Sequence, residues 1–241
     1  MNYKQRLLIL LLSISCIASS DRLLSKAADP EQGVLGGQKS DNPWNDLSRA
    51  QQRRVKQGEQ VLVNENIPND PWPCFHVYRI TTATPIQVAA VFWDVAYDAN
   101  YIPDCLKSIV NGHPALNMVD ATYEIRVPFL PNEVSKVRSL VKTVPGGGYK
   151  IEWNVLSSKY SKSGRGSVLA LPYENGSLIS YSNLVVPGSS IAVILRGQAE
   201  SQVQKTVAAM ATQAETEVKK SPEQLTAQIQ QLEKALGVSS Q

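Results

Sequence analysis

From about residue 105 to residue 187 the chain falls into short runs of alternating apolar and polar side chains, and then the period changes. Residues 149–155 put Tyr149, Ile151, Trp153 and Val155 on one side of an extended strand, and Lys150, Glu152 and Asn154 on the other, because successive strand residues point to opposite faces. Tyr123, Ile125 and Val127 alternate in the same way with Glu124 and Arg126. Residues 134–144, 166–173 and 177–187 also read as strands. Pro145-Gly146-Gly147-Gly148, Ser163-Gly164 and Asn175-Gly176 separate the runs with turn chemistry. The pattern predicts an antiparallel meander. From Ala192 the apolar residues step by three or four instead, through Leu195, Ala199, Val203, Val207, Met210, Ala214 and Val218. That is one stripe about seven turns long on a helix expected from Ser190 to about Lys220. A sheet with one apolar face must bury it, and this helix is the large element left to cover it.

Ahead of the meander, residues 60–65 read as an edge strand and 74–82 as a further strand. A short helix follows, with Thr84 as N-cap, Pro85 at the first helical position and Gln87 completing a capping box. Val88, Val91, Phe92 and Val95 give it one apolar face. Asp98-Ala99-Asn100 is expected to end it, and Pro103 disfavours helix at Ile102. This stretch is expected to close one end of the curved sheet, with Tyr101-Ile102-Pro103 as a gate. Residues 46–58 read as a short polar lead-in helix stopped by Gly58. After Ser221-Pro222, a second amphipathic helix carries Leu225, Ile229, Leu232 and Leu236 on one face. It would either fold back or meet a partner.

Residues 1–20 have the form of a signal peptide: Lys4 and Arg6, then Leu7 to Leu12, then Ala18-Ser19-Ser20 before Asp21. An uncleaved anchor and a lipidated Cys16 are the alternatives, and all three place the folded part outside the cytosol. Removing Lys4 and Arg6 leaves 22 basic against 21 acidic residues, a net charge of +1. No field for nucleic acid remains. Lys159, Lys162 and Arg165 are read as a solvated hairpin tip. Residues 21–59 form a Gly/Pro-containing tether plus the lead-in helix. An oxidising compartment would permit a disulfide between Cys74 and Cys105, whose distance the sequence does not give. Two cysteines without a second pair do not suggest a metal site, and no cofactor is expected.

Catalytic motifs are missing. His76 and His113 are far apart, and no HExxH, CxxC or calcium-loop pattern occurs. Gly146–Gly148 precedes a strand, whereas a phosphate loop needs a helix N-terminus behind it. Glu124 and Glu152 lie on the polar sides of their strands.

The element order, together with "WPCFHVYRITTATPIQVAAVFWDVAYDANYIPDCLKSIV", "YEIRVPFLPNEV", "GGGYKIEWNV" and "LVVPGSSIAVILRGQAESQVQKTVAAM", resembles the START-related (SRPBCC) superfamily over about residues 72–220. The resemblance implies an α+β helix-grip fold: a curved antiparallel sheet wrapped around a long C-terminal helix, with short helices after the first strand. It places the domain at 60–220 and leaves 221–241 as an amphipathic helix and tail. It further implies a monomer that binds or transfers a hydrophobic small molecule such as a lipid, sterol, quinone or polyketide, with transient membrane contact. Trp93, Tyr101, Tyr123, Ile125, Trp153, Tyr181, Leu195, Ala199, Val203 and Met210 would line the cavity. A cyclase or hydrolase using the same cavity, and an interaction protein with a filled core, are the alternatives.

Overall fold

The computed structural model describes residues 42–189 and 195–238. The targeting segment 1–20, Cys16, most of the tether, and Ser190 and Ala192 at the expected start of the long helix lie outside these residues. Eight strands form one sheet: β1 (Val61–Glu65), β2 (Cys74–Thr81), β3 (Cys105–Gly112), β4 (Met118–Ile125), β5 (Glu133–Val144), β6 (Gly148–Ser158), β7 (Ser161–Tyr173) and β8 (Gly176–Pro187). Their order is β1-β2-β8-β7-β6-β5-β4-β3, with every neighbouring pair antiparallel. Strands β3 to β8 are the expected meander, and the curved sheet is completed where β8 returns to pair with β2. At the opposite edge, β3 departs from regular pairing twice, between Cys105 and Lys107 and between Val110 and Gly112.

Among the described residues four α-helices accompany the sheet: α1 (Arg49–Lys56), α2 (Pro85–Trp93), α3 (Arg196–Lys220) and α4 (Pro222–Ala235). Helix α2 begins as its sequence dictates, the Thr84 N–H donating to Gln87 Oε1 at 2.8 Å. The segment expected to break it, Asp98-Ala99-Asn100, continues instead as a 3-10 helix over Val95–Asn100, which buries Asp98 and leaves Asn100 exposed. Helix α3 packs against β2 and α2. The small residues of its stripe explain the fit: Ala211 and Ala214 are fully buried, as is Ala90 of α2, so no bulky side chain holds the layers apart. Helix α4 folds back rather than standing free. Leu232 is fully buried in the main core, and Gln228 Nε2 donates to Asp94 Oδ2 at 3.0 Å at the end of α2.

A smaller core lies where α1 meets the sheet and joins Leu47, Val55, Val61, Tyr78 and Leu178. Three local expectations are corrected. Ser163 and Gly164 lie within β7, the turn falling at Lys159-Tyr160 instead; Arg165 is likewise a strand residue, paired with Asn154. The alternation read through Val127 stops at Ile125, where β4 ends. Cys74 and Cys105 form no disulfide: both are buried thiols, on strands second and last in the sheet order.

Candidate functional site

The first three turns of α3 do not fill the space beneath them. A cavity of about 390 Å³ remains between these turns and the sheet, lined by β4, β5, β6 and β8, with Phe92, Asp98 and Ile102 at the α2 side. Of the residues expected there, Tyr123, Ile125, Trp153, Tyr181, Leu195, Ala199 and Val203 do line it. Trp93, Tyr101 and Met210 do not. Trp93 is buried in the main core; its neighbour Phe92 faces the cavity, because successive residues of a helix point about 100° apart. Met210 lies about two turns beyond Val203, where α3 is packed solid with Val207 and Ala211. Tyr101 stands behind the wall with its hydroxyl turned toward Asp98.

One wall is aromatic. Trp153 and Tyr181 have ring centroids 5.1 Å apart, Phe92 lies 5.8 Å from Trp153, and it meets Tyr181 edge-on at 6.5 Å and 89°. Such tilted and edge-to-face pairs suit the ring quadrupoles. Gly166 makes room for this wall. A Cβ there would stand 2.3 Å from Trp153 Cζ2 and 2.4 Å from the Ser182 carbonyl oxygen, so the indole crosses β7 only because that position carries no side chain.

The opposite feature is a buried acid. Asp98 is 2% exposed, and both carboxylate oxygens are engaged: Tyr101 Oη donates to Oδ1 at 2.8 Å and Tyr123 Oη to Oδ2 at 2.7 Å. Burial pushes the Asp98 carboxyl up to about 7; the charge of Asp94 adds to this, while the two phenol hydrogen bonds oppose it. Burial and the Asp98 charge in turn raise both phenols well above their ordinary values. Burial also raises Tyr181, and pushes the Cys105 thiol up to about 11. These groups stay protonated near neutrality, whereas Asp98 can exchange its proton there. Chemically, the wall can hold a proton at one carboxyl, or accept a hydrogen bond from a ligand hydroxyl, inside a largely apolar chamber.

At the mouth, Gln202 Nε2 of α3 donates to the Pro103 carbonyl, tying the Tyr101-Ile102-Pro103 turn across to the helix. Arg126, Glu133 and Lys205 stand at the lining as well. Arg126 was expected on an exposed strand face; with β4 ended, its N–H donates to the Asp104 carbonyl at 2.8 Å. Glu133 accepts from Ser158 Oγ and from the backbone N–H groups of Lys159 and Tyr160 at 2.8–3.0 Å. Neither histidine lines the cavity. Glu124 and Glu152 are salt-bridged to Lys107, Lys142 and Lys150, as their polar-side positions implied. Asp98 is the residue sequence reasoning missed. Its only local signal is the three-residue spacing to Tyr101, since Tyr123 arrives from a strand 25 residues on.

No family model matches the sequence, and no curated protein matches it. Solved structures do. A STAR-related lipid transfer protein from Xanthomonas axonopodis superposes with a TM-score of 0.57 at 13% identity, covering 65% of this chain and 98% of its own. Human STARD10 gives 0.59 at 14% identity, with 80% and 89% covered. The Zhui aromatase/cyclase from Streptomyces sp. R1128 gives 0.52 at 14% identity, with 61% and 97% covered. At such identities the likeness is one of backbone architecture. The chain has the START-like, or SRPBCC, helix-grip fold.

Proposed function

We propose that the chain binds, and carries, a hydrophobic small molecule between the sheet and the first turns of α3. The observation that carries this reading is the 390 Å³ cavity, walled by Phe92, Trp153 and Tyr181 and bearing one buried acid. Its volume lies toward the lower end of the range usual for ligand pockets, about 300–1,000 Å³, which suits a compact or single-chain molecule such as a sterol, quinone or polyketide. Burying about 250 Å² of apolar ligand surface would contribute about 6 kcal/mol before ordering costs are subtracted. The lipid-transfer proteins of the same fold support this reading. The cavity favours this reading over an interaction protein with a filled core, and α4 packs Leu225 and Leu232 into the core.

Native mass spectrometry and organic extraction of the purified protein test the proposal. The expected result is one apolar molecule per chain, displaced in an Ala199→Trp variant that fills the cavity. A protein that is empty, and that takes up nothing from a broad panel of lipids, sterols and quinones, refutes it.

A second reading, a cyclase or hydrolase, is favoured by Asp98 specifically. A cavity carboxyl with a proton to exchange near neutrality is suited to general acid–base work, and an aromatase/cyclase shares the fold. In this reading Asp98→Asn abolishes turnover of a bound polyketide-type substrate while binding survives. Return of every bound compound chemically unchanged leaves the carrier reading.

A further inference from the structure

Away from the cavity, the β1–β2 ribbon brings together three side chains with the chemistry of metal ligands. Glu65, the last residue of β1, is the direct cross-strand partner of Cys74, the first residue of β2. His76 follows Cys74 by two and therefore shares its face. A carboxylate oxygen, a thiol sulfur and an imidazole nitrogen from these residues all lie within 4.8 Å of one another. The Glu65 Oε2 to His76 Nε2 distance is 2.7 Å. Cys74 is 1% exposed and His76 4%, whereas the Glu65 side chain is 32% exposed. Two donors are thus fixed inside the ribbon, and the third opens to solvent.

We propose that Glu65, Cys74 and His76 form a binding site for a divalent cation of the zinc type. The donor set decides the class: a thiolate and an imidazole suit zinc, while magnesium and calcium prefer all-oxygen cages. The distances agree. Donors about 2.0–2.3 Å from a tetrahedral zinc stand about 3.3–3.8 Å apart, so the Glu65–His76 pair must open by less than about 1 Å. Glu65, at a strand end and partly in solvent, can make that movement without disturbing the ribbon. On binding, the Cys74 thiol releases its proton to solvent. His76 coordinates through Nε2, and the proton that Nε2 shares with Glu65 moves to Nδ1 or, from a doubly protonated ring, leaves to solvent. The fourth position is left for water on the Glu65 side. The site stands on a different part of the sheet from the cavity, so it survives or fails independently of the carrier reading.

The test uses the full chain, stripped with chelator and titrated with Zn²⁺ and then with Co²⁺. The expected result is one equivalent bound, with a sulfur-to-cobalt charge-transfer band in the near ultraviolet. Cys74→Ser should remove that band, and Glu65→Gln, at the exposed ligand, should weaken Zn²⁺ binding by at least about 10–100-fold, the loss typical even of a group that only supports a ligand. The wild-type cobalt spectrum needs no variant to fold. Its lack of a thiolate band, uptake well below one equivalent, or Zn²⁺ binding unchanged in Glu65→Gln each overturns the proposal.

Discussion

Replacing Asp98 by asparagine keeps the shape of the side chain and removes its titration. The carboxyl has a folded-state pKa of about 7 against an ordinary value of 3.8. A folded state that holds a proton more tightly than the unfolded chain gains stability from it at low pH. The contribution is therefore fully present below about pH 4, is lost as pH rises, and is gone above about pH 7. At 1.36 kcal/mol per pH unit, its full span is about 4 kcal/mol, of which roughly half to two thirds falls between pH 5 and pH 8. Other carboxylates move the total the opposite way. Arg138, bonded to Asp120 at 2.7 and 2.8 Å, holds that carboxyl low, so its contribution is lost on acidification. The useful quantity is thus the difference between wild type and Asp98→Asn, in which shared groups cancel. Urea unfolding of both proteins at pH 5, 6, 7 and 8 measures it. The wild type should lose about 2–3 kcal/mol relative to the variant across that range. A wild-type-minus-variant stability difference that stays flat from pH 5 to pH 8 would mean that Asp98 is ionised throughout, and the reasoning from its burial would fail.

Gly166→Ala forces a methyl group against the Trp153 ring and the Ser182 carbonyl; overpacking of this kind costs about 1–3 kcal/mol, read as a lower Tm together with altered tryptophan fluorescence. Met210→Ala empties a fully buried site in the solid half of α3 and should cost about 2–5 kcal/mol in chemical denaturation. Gln202→Ala removes the tie to Pro103, a bond worth about 1 kcal/mol net. Release of a bound apolar dye, followed by stopped flow, should quicken about fivefold, and an unchanged rate would show that the turn is no gate.

Much of the architecture was legible because it is written in local periods. Tyr149 to Val155 alternate and are β6; Thr84, Pro85 and Gln87 start α2 where a capping box should. The family resemblance named Tyr123, Trp153 and Tyr181 as lining residues, and all three do reach the cavity. Legibility failed where a position depends on partners distant in the chain. Phe92 and Trp93 are equally apolar neighbours, and only the docking angle of α2 decides which one reaches the cavity. Asp98 reads as a helix breaker until Tyr123 is placed against it. Met210 belongs to the same stripe as Val203, and nothing in the stripe marks where the sheet closes on the helix. Glu65, Cys74 and His76 are scattered over twelve residues, and they meet only through the β1–β2 register.

An open sheet has two margins, and the irregularity of β3 bears on the longer one. Leu106, Ile109 and Val110 are exposed along it, an invitation for another chain to zip on. A regular ladder would offer its outward amides and carbonyls in register. Two bulges within eight residues, with Lys107 between them, break that register and twist the rim, so an incoming strand finds no straight template. Such defects in pairing work against growth of the sheet along its apolar border.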